Sequence, residues 1–127
     1  MKTVMVVDDS SALRSQVKSY FDLLGFNVIQ AIDGEDALEK IKNSPEISLF
    51  MVDVNMPKIN GLKFCELLKE KKIYSKSVIF MLTTESSIEL IDRARPLGVK
   101  AWILKPFEPG PLSKALDLFG LNNSQNN

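Results

Sequence analysis

Asp8 and Asp9 stand side by side directly after the apolar run Val4–Val7. Asp53 follows Leu49–Val52, Thr83 and Thr84 follow Val78–Leu82, and Lys105-Pro106 follows Ala101–Leu104. If these runs are strands of one parallel sheet, three carboxylates, two hydroxyls and an ammonium meet at one rim. Carboxylates crowded in this way raise one another's pKa unless a counter-charge joins them. Lys105 supplies one positive charge, and a divalent cation would supply more. Carboxylates with carbonyls and waters suit Mg²⁺, which takes octahedral oxygen ligands and few protein groups. A carboxylate beside such an ion can also attack phosphorus and form an aspartyl phosphate. Single acids and threonines often close strands as caps and turn formers. Their recurrence at the ends of four separate runs is what argues for a site.

The composition narrows the chemistry further. The chain has 127 residues, 16 lysines and arginines, 16 aspartates and glutamates, one cysteine and no histidine. Without histidine there is no Ser-His-Asp or Cys-His machinery and no histidine metal ligand. One cysteine excludes an intrachain disulfide and a cysteine-rich zinc site, and Cys65 in its apolar stretch reads as a core side chain. Zero net charge gives no general electrostatic reason to bind nucleic acid or an anionic membrane. Hydrophobic content of 45% with 25% charged residues is ordinary globular composition, and the length suits one domain. No apolar run approaches the roughly 20 residues of a membrane span. Met1-Lys2-Thr3 followed by Val4–Val7 is too short for a signal-peptide core, so the cytoplasm is the expected location.

Five apolar runs predict strands: Val4–Val7, Asn27–Ala31, Leu49–Val52, Val78–Leu82 and Ala101–Leu104. At least three are apolar throughout, as in strands covered on both faces. Helical spacing fills the gaps. Leu13, Val17, Tyr20, Phe21 and Leu24 share a face that Gly25 closes. Asp33–Ile41, Leu62–Leu68, Ile88–Ala94 and Leu112–Phe119 follow, with Pro111 read as the first residue of the last helix. Pro96 removes an amide, so the fourth helix should end or bend near Arg95. Five alternating strand-helix units are too few for an eight-fold barrel. They predict an open, doubly wound α/β fold with a five-stranded parallel sheet and helices on both faces. One domain over 1–121 is expected, with the polar residues 122–127 as a disordered tail.

The polar groups resemble the receiver domains of two-component response regulators. The resemblance rests on Val6-Val7-Asp8-Asp9-Ser10, Met51-Val52-Asp53-Val54-Asn55-Met56-Pro57 with Gly61, Thr83, and Leu104-Lys105-Pro106-Phe107. Asp9 lies 44 residues before Asp53, Thr83 lies 30 after it and Lys105 lies 52 after it, which fits the family without gaps. The resemblance covers residues 2 to about 120 and implies strand order 2-1-3-4-5. It makes Asp53 the phosphoacceptor. It makes Asp9, Asp8, Asp53 and the backbone carbonyl of Asn55 the Mg²⁺ ligands, Asp8 directly or through water. Lys105 would pair with Asp53 and then with the phosphoryl oxygens. Thr83 would give its hydroxyl to the phosphoryl group, and Lys105-Pro106 would be cis. Such roles fit phosphoryl transfer, in which positioning and charge neutralisation supply most of the catalysis.

The resemblance further implies a signalling switch rather than an enzyme of metabolism. A sensor histidine kinase or histidine phosphotransfer domain would donate the phosphoryl group, so the chain can lack histidine. A downstream effector, such as a flagellar switch, and a phosphatase are the other implied partners, with neither nucleic acid nor membrane. The output face would be Ser87–Leu97, Lys100–Leu104 and Leu112–Phe119. Trp102 stands where the family usually carries a tyrosine or phenylalanine. Either it packs a sheet edge, or it turns inward as Thr83 moves toward the phosphoryl group. Asn55 and Glu85, two residues beyond Asp53 and Thr83, match the types found in the family's stand-alone chemotaxis regulators, where they tune dephosphorylation. With the length, they give the expectation of a stand-alone receiver. A receiver of a larger or non-chemotaxis pathway and an unphosphorylated scaffold are the alternatives. A haloacid-dehalogenase-type phosphatase needs a second aspartate where Asn55 stands. A flavodoxin-like flavin binder needs a phosphate loop where Asp8 and Asp9 stand.

Overall fold

The computed structural model describes residues 1–71, 76–85 and 87–122. The elements alternate along the chain: β1 (Thr3–Val7), α1 (Ser11–Leu23), β2 (Asn27–Ala31), α2 (Gly34–Ile41), β3 (Leu49–Val52), α3 (Gly61–Lys71), β4 (Val78–Thr83), α4 (Ile88–Ala94), β5 (Val99–Leu104) and α5 (Pro109–Leu118). The strands form one parallel sheet in the order β2-β1-β3-β4-β5. Every residue of β1 and β3 is buried. These two strands are therefore covered on both faces, which is why, Thr3 apart, their sequences are apolar throughout rather than alternating.

The sheet separates two cores. On one face Val4, Val6, Leu49, Met51 and Phe80 meet Leu13, Val17 and Phe21 of α1 and Leu112 and Leu116 of α5. On the other, Met5, Val7, Phe50, Val52 and Met81 meet Ala37 of α2, Phe64 and Leu68 of α3 and Ala94 of α4. Burying side chains of this size stabilises the fold by about 1.5–3 kcal/mol each before entropy is charged against it. Four helices start on side-chain caps. Ser10 accepts from the Leu13 N–H, Asp33 from Asp36, Asn60 from Lys63 and Ser87 from Leu90.

Two helix boundaries repay comparison with the sequence reading. The fourth helix does stop at Ala94. Arg95–Leu97 continue as a single 3₁₀ turn containing Pro96, and Gly98 at φ 93° turns the chain into β5. The last helix begins earlier than Pro111. Glu108 is its cap and Pro109 its first residue. The first N–H groups of a helix have no intrahelical acceptor, so Pro109 and Pro111 both fit in the first turn without losing a bond. Leu121 is buried and Asn122 donates to Asp117 Oδ1 at 2.7 Å. The rest of the expected tail, 123–127, lies outside the described residues.

Candidate functional site

The sheet delivers the polar groups to one rim by extending its hydrogen bonds one residue beyond the strands. The Asp8 N–H donates to the Ala31 carbonyl at 3.1 Å and the Asp53 N–H to the Val7 carbonyl at 3.0 Å. The Lys105 N–H donates to the Thr83 carbonyl at 2.9 Å. Asp8, Asp53 and Lys105 are thus held by their backbones before their side chains make any contact. Glycine supports the same arrangement from α3. A Cβ on Gly61 would fall 2.3 Å from the Asp53 carbonyl oxygen, so the start of α3 can close on Asp53 only without a side chain there. The Gly61 N–H then donates to the Val54 carbonyl at 2.9 Å.

Asp8, Asp9 and Asp53 each offer a carboxylate oxygen, and these oxygens lie within 4.8 Å of one another. Asp8 and Asp53 are buried and Asp9 is exposed. Lys105 lies between the two buried acids, its Nζ 2.9 Å from Asp8 Oδ2 and 3.5 Å from Asp53 Oδ2. The sequence reading paired Lys105 with Asp53; the shorter approach is to Asp8. Burial, and then the Asp8 charge, hold the Asp53 carboxyl above its ordinary range, although Lys105 and the Asn55 N–H oppose them. Burial alone would lower the pKa of Lys105, but Asp8 and Asp53 outweigh it and raise the pKa.

The donor set fits a hard divalent cation. Three carboxylates against one ammonium leave uncompensated negative charge in a partly buried place. Asp8 Oδ2 is fully buried, and among the described residues its partner is Lys105, met as an ion pair at 2.9 Å. An all-oxygen set of this kind suits Mg²⁺ better than softer metals.

The remaining sequence-derived residues surround this cluster. Thr83 is fully buried and its Oγ1 accepts from the Glu85 N–H at 3.2 Å. The Asn55 N–H donates to Asp53 Oδ1 at 3.3 Å, and Asn55 Nδ2 donates to Glu85 Oε2 at 2.7 Å. The indole N–H of Trp102 donates to the Glu85 carbonyl. Trp102 is partly buried and packs on the α2-α3-α4 face, whereas Ala101 and Ile103 pack on the other, as alternation along a strand requires. The Lys105-Pro106 peptide is cis.

Sequence reasoning missed two contacts. One is the Asn55–Glu85 pair, which joins loops from separate strands and leaves no local pattern. The other is Arg14, whose Nη1 donates to the Asp8 carbonyl at 2.6 Å and whose Nε donates to Gln30 Oε1 at 3.1 Å. The available signal was a cation directly after the core-facing Leu13, five residues beyond Asp9; that it is half-buried only the fold reveals.

Comparison with known proteins gives the same picture. A chemotaxis protein CheY homologue from Campylobacter jejuni is 32% identical over 124 residues, spanning 96% of this chain and 95% of that protein. Chemotaxis protein CheY1 of Helicobacter pylori is 33% identical over 116 residues, 91% of this chain and 94% of that protein. The solved structure of chemotaxis protein CheY4 from Vibrio cholerae superposes with a TM-score of 0.87 at 34% identity, covering 94% of this chain and 98% of that one. The family model of the response regulator receiver domain matches residues 4–117. With the acidic rim and the β2-β1-β3-β4-β5 sheet already in place, that match establishes that the chain belongs to the response regulator receiver domain family.

Proposed function

We propose that this chain is a phosphoacceptor switch of a two-component system. Its phosphoryl group would come from a phosphohistidine on a sensor kinase or phosphotransfer domain. A carboxylate oxygen of Asp53 attacks phosphorus, the P–O bond forms as the P–N bond of the donor breaks, and the imidazole nitrogen leaves with the electron pair. Asp8, Asp9, Asp53 and the Asn55 backbone carbonyl would hold Mg²⁺. Bound there, the ion would neutralise charge on the phosphoryl oxygens and hold them in line. Lys105 would neutralise a phosphoryl oxygen from the other side, and the Thr83 hydroxyl would donate to another. The observation that carries this reading is the convergence of the three carboxylate oxygens within 4.8 Å, with Lys105 against two of those acids.

The same reading extends to output. Thr83, Glu85 and Trp102 form a continuous hydrogen-bonded path from the acidic rim to the α4-β5 surface. Drawing Thr83 toward a phosphoryl group would disturb the Glu85 backbone, and so the anchor of Trp102. A groove of about 120 Å³ lined by Ile91, Arg95, Val99, Lys100, Ala101 and Trp102 lies beside that anchor. An effector reading α4, β5 and α5 would meet this groove. The Asn55–Glu85 bond joins the two residues that lie two positions beyond Asp53 and Thr83, and it would limit access of the hydrolytic water or of a phosphatase. The chemotaxis relatives support a role in that pathway, and among the described residues no helix is long and apolar enough to cross a membrane. Incubation with acetyl phosphate and Mg²⁺, followed by intact-mass measurement, tests the central step. The mass should rise by one phosphoryl group, and Asp53→Asn should show no rise. Absence of the increment in the unaltered chain, or its persistence in Asp53→Asn, would overturn the assignment.

A further inference from the structure

We infer that Arg14 is a positioning residue for the metal-binding acids, acting through the backbone of Asp8; the inference rests on the Mg²⁺ site proposed above. Among the described residues Arg14 makes no hydrogen bond or ion pair with Asp9, Asp53 or Lys105. It does hold the carbonyl of the residue between β1 and Asp9. Asp8 is fastened at four atoms: its N–H to Ala31, its carbonyl to Arg14, its Oδ1 to the Ser10 N–H at 2.8 Å and its Oδ2 to Lys105. Of these, only the carbonyl contact fixes the peptide plane that leads into Asp9. Asp9 is exposed, and among the described residues no side-chain hydrogen bond of its own orients it. The Asp8–Asp9 peptide held by Arg14, with the Asp9–Ser10 peptide whose N–H is held by Asp8 Oδ1, therefore sets the direction from which the Asp9 side chain leaves the backbone.

The guanidinium suits this task by its shape. Its Nη1 and Nε are spent on two different acceptors, the Asp8 carbonyl and Gln30 Oε1. Gln30 lies on β2, paired with Val6 of β1, so the brace is anchored in the sheet itself. An ammonium is a point donor and cannot span both acceptors with fixed geometry. The charge of Arg14 acts in the opposite direction. A cation beside an acidic cluster lowers its attraction for Mg²⁺, so loss of charge alone would tighten binding. Geometry and field thus predict opposite signs, which makes the inference testable.

The test is calorimetric titration of the full chain with MgCl₂, with Asp9→Asn as the reference for loss of the site. Arg14→Lys keeps the charge and breaks the fork; Arg14→Met removes both. Arg14→Lys should weaken Mg²⁺ about tenfold, the lower end of what removing the partner of a metal ligand costs, and Arg14→Met somewhat less, because loss of the charge partly offsets loss of the fork. Urea unfolding in chelator checks that each variant folds. A dissociation constant for Arg14→Lys equal to that of the unaltered chain would overturn the inference, as would tighter binding by Arg14→Met. If either arginine variant fails to fold, Gln30→Met carries the test. It removes only the brace and should weaken Mg²⁺ a few-fold, and unchanged affinity there would also overturn the inference. If the unaltered chain takes up no Mg²⁺, the metal site itself fails and the role of Arg14 with it. Binding that is lost in Asp9→Asn but indifferent to Arg14 leaves the site standing and removes only the arginine.

Discussion

The surroundings of Asp53 oppose its charged form. Burial and the neighbouring Asp8 raise its pKa, so the folded chain binds that proton more readily than the unfolded chain does. A folded pKa above the unfolded value contributes stability that is complete below the unfolded value of 3.8 and is lost as pH rises through the folded value. At neutral pH, without metal, ionised Asp53 therefore works against folding. Asp53→Asn should raise the urea midpoint of the chelated protein at pH 7, and the gain should vanish near pH 3. Equal midpoints at pH 7 would refute this account of the charge. The identities of these residues were legible in the sequence, because an acid, threonine or lysine closing an apolar run needs only the sheet to bring it to the rim. Their pairings were not. That Lys105 approaches Asp8 more closely than Asp53 depends on side-chain directions set by loops, and so does the Asn55–Glu85 bond.

Between strand and helix, the close fit of α3 against β3 matters most for the site. The hydrogen in place of a side chain at Gly61 lets the first turn of α3 press on the Asp53 carbonyl. Backbone on both sides of a 2.3 Å contact cannot yield as a flexible side chain would. Gly61→Ala should therefore cost about 1–3 kcal/mol, the usual penalty of overpacking, read as a lowered urea midpoint. A midpoint within error of the unaltered chain would show that α3 can retreat freely. Elements with strong periodicity were legible to within a residue or two, as in α1, β2, β3 and α4. The start of α5 was not, because Pro109, Gly110 and Pro111 look like a loop. They are helical because the first turn asks for no amide donors. The 3₁₀ turn after α4 is steadied from outside its own sequence, as Lys69 Nζ of α3 donates to the Pro96 carbonyl at 2.9 Å.

Taken whole, the molecule is a parallel sheet between two apolar layers, and that much followed from runs too apolar to be half-exposed. The two edge strands, β2 and β5, are the exceptions: in β5 only Val99 and Ile103 are buried. Four of the five residues of β2 are only partly buried, because it lies at the sheet edge. Cys65 reports on the integrity of the α2-α3-α4 layer. It is fully buried, and burial pushes its thiol up to about 12. A thiol reagent at neutral pH should reach it only through opening of the fold, at least about a thousandfold slower than in the unfolded chain. Labelling in native buffer at the rate of a free thiol would contradict this packing. The common direction of the five strands also divides the protein's tolerance for change. Asp8, Asp9 and Asp53 stand at the carboxyl ends, whereas the turn at Leu24-Gly25, the stretch 42–48 and Gly98 stand at the amino ends. A five-residue strand separates the two rims by about 16 Å. A fusion joint, a graft or accumulated sequence drift at the amino rim is therefore insulated from the phosphoacceptor by the length of the sheet, and that rim is where the chain has room to diversify.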